Sequence, residues 1–182
     1  MEEIIDKYLK LWVDNDLNYL PIQIEREMLG SSKPTDDGWY MWKPIPSQIK
    51  DSEISQFEEH IGYSYPKDYR RFLKHMHFYD LQINECAFCP HPINSWKKAL
   101  SEFIFNGYPK ELILDRGKIP FANWSDWGLL CFDTTLVEPN NTDYPIVLWD
   151  HEYQDEFEYK YQNFESMVHK LDEEATNNST NI

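Results

Sequence analysis

The chain has 182 residues, an apolar share of 41% and an aromatic share of 16%, so it can bury one sizeable core and is not a disordered tract. With 17 Lys and Arg against 32 Asp and Glu, its formal charge is −15, a field that repels nucleic acid and anionic membrane and favours basic partners. No apolar run reaches the ~18 residues of a membrane span, no basic-then-apolar leader opens the chain, and three cysteines do not make a disulfide framework; a reduced, cytoplasmic protein is expected.

Taken in chain order, Ile4, Tyr8 and Trp12 lie on one stripe with Ile5, Leu9 and Val13 beside it, an i, i+4 repetition that predicts an amphipathic helix over 2–13. The segment PIQIEREML (21–29) mixes strand-like alternation at Ile22 and Ile24 with helix formers from Glu25, and Gly30 stops either. GSSKPTDDG (30–38) is a turn-rich connector. It divides the chain into an N-terminal helical extension (1–35), a main domain (36–172) and a polar tail, expected to be frayed, from Glu173 to Ile182.

DSEISQFEEHIG predicts a helix capped by Asp51 or Ser52, with Ile54, Phe57 and Ile61 apolar and Gly62 as the stop. YPKDYRRFLKHM predicts a second, opened by Pro66 and striped by Tyr69, Phe72, Leu73 and Met76. A third starts at Asn94 or Ser95 and buries Trp96, Leu100, Phe103 and Ile104. From about residue 112 the period becomes extended: GLLCF, YPIVLWD and FEYKY are short, aromatic and branched, and separated by turn residues. NFESMVHKL, capped by Asn163, closes with a helix burying Phe164, Met167, Val168 and Leu171. This order gives an α+β domain, helices packed on a mainly antiparallel sheet.

The most distinctive stretch, GKIPFANWSDWGLLCFD (117–133), reads as scaffold. It lacks the clustered glycines of a phosphate cradle and the G-x-S-x-G of a nucleophile elbow, and no cofactor is expected. Two strands should meet at a turn at Ser125–Asp126, with Pro120 at a strand start or edge, Gly128 permitting the hairpin twist, and Trp124 and Trp127 capping the core.

These elements, in this order, resemble the SMI1/KNR4 (SUKH) superfamily. The resemblance is carried by Trp42, by ISQFEEHIGYSYPKDYRRFL, by the stretch at 117–133, by YPIVLWDHE and by NFESMV. It covers about Trp39 to Leu171 and departs from the pattern at HMHF (75–78) and over the first 35 or so residues. It implies binding rather than catalysis. Bacterial members are mostly immunity proteins that neutralise toxins, often nucleases; fungal members are implicated in regulating cell-wall synthesis. The expected partner is a basic protein toxin, and the expected state a monomer or weak dimer. A regulatory adaptor of the same fold, or a hydrolase or metal protein using its Cys and His residues, are the alternatives.

Several residues are candidates for a site. DHEYQDEFE (150–158) places Asp150, Glu152, Asp155, Glu156 and Glu158 among Tyr153 and Phe157; acids steer a basic partner and aromatics anchor it. Asp150, Glu152, Tyr153, Asp155, Glu156 and Glu158 are therefore the expected partner-binding residues. Cys86, Cys89 and His91 in CAFCPH are half a zinc site without a second pair, and read as buried thiols. His75 and His77, two apart, would not share a helix face. Asp133, Asp150 and His151 could be drawn together as an acid–base set, but the two aspartates read as strand ends bonding turn amides.

Overall fold

The computed structural model describes residues 1–31, 33–137, 142–153 and 156–180. In chain order the elements are α1 (Glu2–Asp14), β1 (Tyr19–Leu20), β2 (Tyr40–Met41), β3 (Ile45–Pro46), α2 (Asp51–Ile61), α3 (Lys67–Leu73), β4 (Met76–His77), β5 (Gln82–Ile83) and β6 (Cys86–Phe88). Then come α4 (Trp96–Phe105), β7 (Lys118–Trp124), β8 (Gly128–Asp133), β9 (Ile146–Asp150), β10 (Phe157–Tyr161) and α5 (Phe164–Thr180). Strands β5 to β10 form a six-stranded antiparallel sheet in the order β10-β9-β8-β7-β6-β5. The fold is α+β.

Both faces of this sheet are covered, which explains why β8 and β9 read as continuous apolar runs rather than alternating ones. Leu130, Phe132, Ile146 and Leu148 point into the main core with residues of all five helices, while Leu129, Cys131, Val147 and Trp149 pack under Phe103, Tyr108 and Leu112. The right-handed twist of strands bends the sheet into a saddle, so that diagonal corners meet. On the main-core face Trp124 and Tyr161 have ring centroids 6.4 Å apart. On the other face Lys118 Nζ lies 5.1 Å from the Phe157 ring centroid, although two strands separate β7 from β10.

The helix ends follow local chemistry. Gly62 closes α2 at φ 79°, a left-handed conformation that favours glycine. The α2 entry is held from inside the first turn: Glu53 Oε2 accepts from Lys50 N at 3.1 Å, where Asp51 or Ser52 was expected to cap. At α5, Asn163 Oδ1 accepts from Ser166 N at 2.9 Å and Ser166 Oγ from Asn163 N at 3.1 Å, a reciprocal capping box. Phe164, Met167, Val168 and Leu171 are all fully buried. The helix continues beyond this stripe to Thr180, through the residues expected as a tail. Helix α1 buries Ile5 and Leu9 in the main core, and its Lys7 and Tyr8 donate to Asp172 of α5 at 2.6 and 3.1 Å.

Pro120 sits third in β7, inside the sheet, yet obeys the rule that proline cannot donate to a ladder. Strand β6 pairs only with Ala122 to Trp124, and a bulge follows Pro120, so this half of β7 is locally an edge.

Candidate partner-binding surface

One end of the sheet gathers three turns. Asn84–Glu85 joins β5 to β6, Ser125–Trp127 joins β7 to β8, and the segment after Asp150 leads to β10. Backbone bonds tie them together: Ser125 N donates to Glu85 O at 2.8 Å, and His151 N donates to Trp127 O at 3.3 Å. His151 Nδ1 also lies 2.6 Å from Trp127 O; since a carbonyl only accepts, Nδ1 carries the proton.

The strained residue of the β7–β8 turn is Ser125, at φ 51°, rather than Gly128. Gly128 is required for a different reason: a Cβ there would stand 2.7 Å from Leu148 Cδ1 and 3.0 Å from Trp149 O. The missing side chain lets β9 close against β8. Trp124 is buried as expected, but Trp127 does not cap the core; it is 39% exposed, because it stands in the turn beyond the last strand pair, Trp124 with Gly128. A tryptophan at a turn, beside Asp126, was the signal that could have marked it.

The acidic stretch lies on this same end. Asp150 closes β9, its Oδ1 accepting from Glu152 N at 2.8 Å and its carbonyl from Tyr153 N at 3.2 Å. Glu152, Tyr153 and Glu156 are exposed, Tyr153 to 62%. Asp155 lies outside the described residues. Glu158 is set apart, on β10 itself, and pairs with Lys160 at 3.1 Å. Asp126 and Glu85, exposed on the neighbouring turns, extend the acidic rim and were not among the expected residues. Among the described residues, none of Glu85, Asp126, Asp150, Glu152 and Glu156 is in an ion pair. Unneutralised carboxylates on adjoining turns sum to a negative potential that attracts cations, and the bonds of Ser125 to Glu85 and of His151 to Trp127 reduce the ordering cost on binding.

The imagined acid–base set is not assembled. Gly128 pairs with Asp150, so Asp133 lies at the opposite end of β8 from Asp150 and His151. Asp133 is instead buried with Lys118, Nζ to Oδ1 2.9 Å, and accepts from Thr135 N at 2.9 Å; it locks a turn. The CAFCPH side chains are interior. Burial pushes the Cys86 thiol up and the Cys89 thiol up to about 12, so neither is a ready thiolate. His91 lies against Phe78, ring centroids 4.1 Å apart. His75 Nε2 meets Asp6 at 2.7 Å, and His77 is buried, taking Gln48 N at 3.0 Å.

Among the described residues no helix is long and apolar enough to cross a membrane. Of the curated proteins, none matches this chain. The family described as SMI1-KNR4 cell-wall matches residues 51–167, from the first residue of α2 into α5. The match takes in all the acidic and aromatic turns described above and leaves out α1 to β3. Since it spans more than half of the chain, the protein belongs to the SMI1-KNR4 (SUKH) family.

Proposed function

We propose that this protein is an immunity protein: it binds a basic protein toxin in the cytoplasm and neutralises it by occupancy, without catalysis. The observation that carries this reading is the sheet end, where unpaired Asp126, Asp150, Glu152 and Glu156 surround exposed Trp127 and Tyr153. Acids there raise the encounter rate with a basic surface. Trp and Tyr are the residue types that most often carry binding energy once desolvated. The family and the charge of −15 support the same reading.

The test expresses the products of the genes beside this chain's own and takes as partner one that arrests growth. The joint variant Asp126→Asn, Asp150→Asn, Glu152→Gln and Glu156→Gln should lower the association rate constant about tenfold at low salt and flatten its salt dependence. Trp127→Ala should raise the dissociation rate about tenfold. The substituted side chains lie outside the core, so thermal unfolding should hardly move. An unchanged association rate with an unchanged salt slope in the joint variant would overturn the assignment of this surface. Failure of the unaltered chain to rescue growth of toxin-producing cells would overturn the function.

A further inference from the structure

A second open surface lies in the part of the chain outside the family match. Asp16, Tyr19, Thr35, Asp37 and Trp39 line a shallow, open hollow of about 480 Å³, wide enough to receive a partner's side chain from solvent. Each wall is fixed by backbone structure. Helix α1 ends with Leu17 N donating to Trp12 O at 2.9 Å and Asp16 N to Val13 O at 3.3 Å, which places Asp16 at the rim with φ 54°. Tyr19 is held in the β1–β2 pair opposite Met41. The far wall is a closed turn: Thr35 N donates to Trp39 O at 2.8 Å, Gly38 N to Thr35 O at 2.9 Å, and Trp39 N to Thr35 Oγ1 at 3.1 Å.

Two independent features of this hollow point to the same chemistry. First, Trp39 is 43% exposed beside Tyr19, and aromatic faces attract cations. Second, Asp16 and Asp37 are exposed and, among the described residues, neither is in an ion pair; no Lys or Arg lines the hollow. An anion would be repelled, and a neutral donor would gain a hydrogen bond from the carboxylates but no charge pairing.

We propose that this hollow receives an arginine side chain presented by a partner protein, its planar guanidinium stacked on Trp39 and paired with Asp16 and Asp37. The proposal uses none of the sheet-end residues and does not depend on the toxin reading.

The test is a titration of the isotope-labelled full chain with N-acetylarginine methyl ester, followed at the Trp39 indole N–H and the Gly38 amide. The corresponding citrulline ester serves as the uncharged isostere. Saturable shifts are expected with arginine, weakened about threefold to tenfold for citrulline, and by a similar factor in Asp16→Asn/Asp37→Asn. Asparagine tolerates positive φ, so this variant removes charge and keeps the turn. No saturable shift at these signals, equal responses to arginine and citrulline, or an unchanged response in the double variant would each overturn the proposal.

Discussion

Replacing Phe164 by alanine is expected to destabilise the protein by about 3–5 kcal/mol, a large part of the ~5–15 kcal/mol that holds a domain folded. Phe164 opens α5 and is fully buried. Its ring centroid lies 5.2 Å from that of Tyr69, 5.3 Å from Phe72, 5.7 Å from Phe121 and 6.0 Å from Phe132. These partners come from α3, β7 and β8, so one side chain joins the last helix to an earlier helix and the two strands beside the sheet centre. The cavity left by alanine is walled by rings already packed against one another, such as Phe121 on Phe132 at 4.2 Å, and cannot close by a small shift. Urea unfolding should show a lowered midpoint with an unchanged slope, and Phe164→Leu, which keeps most of the volume, should lose much less. A loss below about 1 kcal/mol for alanine would mean that the core does not centre on this residue.

The parts of the fold that were legible in the sequence are those where one physical signal dominated. Helices α2, α4 and α5 announce themselves through stripes at Ile54, Phe57 and Ile61, at Trp96, Leu100, Phe103 and Ile104, and at Phe164, Met167, Val168 and Leu171; all of these are buried except Phe103, which is half-buried. Strands β7 to β10 were legible because branched and aromatic runs alternate there with turn residues. Strands β1 to β6 were not, since two or three residues carry no period of their own and exist only through pairing partners distant in sequence. Helix α5 outruns its apolar stripe because polar residues such as Glu173 and Glu174 can extend a helix whose first turns are already anchored.

The candidate surface was half legible. An acidic run with tyrosine is visible in 150–158, but its neighbours Glu85, Asp126 and Trp127 reach the same place only through hairpin geometry. The two patterns weighed for chemistry, Cys86 and Cys89 with His91 and Asp133 with Asp150 and His151, needed the structure to place them, because sequence order does not say whether a side chain faces the core or which end of a strand it occupies. Scaffold and surface share the stretch 117–133. Its strands carry Phe121 and Phe132 into the core, and its turn carries Asp126 and Trp127 out. The sheet can therefore vary its turns to suit a partner while its core stays fixed.

Acidification should weaken this protein through His91. The ring is fully buried, neither Nδ1 nor Nε2 makes a well-aligned hydrogen bond, and burial, reinforced by the neighbouring His77, holds its pKa down from 6.5 to about 3. Backbone groups of Met76 and Cys89 pull the other way, and His75 adds weakly to the depression. In the unfolded chain His91 takes up a proton as pH falls below 6.5, while in the fold it stays neutral to about 3. The unfolded state thus binds more protons across that window, and stability falls with pH by about 1.4 kcal/mol per unit, about 2 kcal/mol by pH 5. His77, also depressed by burial, acts in the same direction, whereas Asp80, whose carboxyl burial raises, offsets part of the loss at the acid end. The relief of self-repulsion as the acidic chain is neutralised affects parent and variant alike. His91→Leu should therefore gain stability relative to the parent steadily from pH 6.5 downward, measured as the difference in urea unfolding free energy at each pH. Parallel curves for the two proteins between pH 6.5 and 4 would mean that another group governs the acid transition.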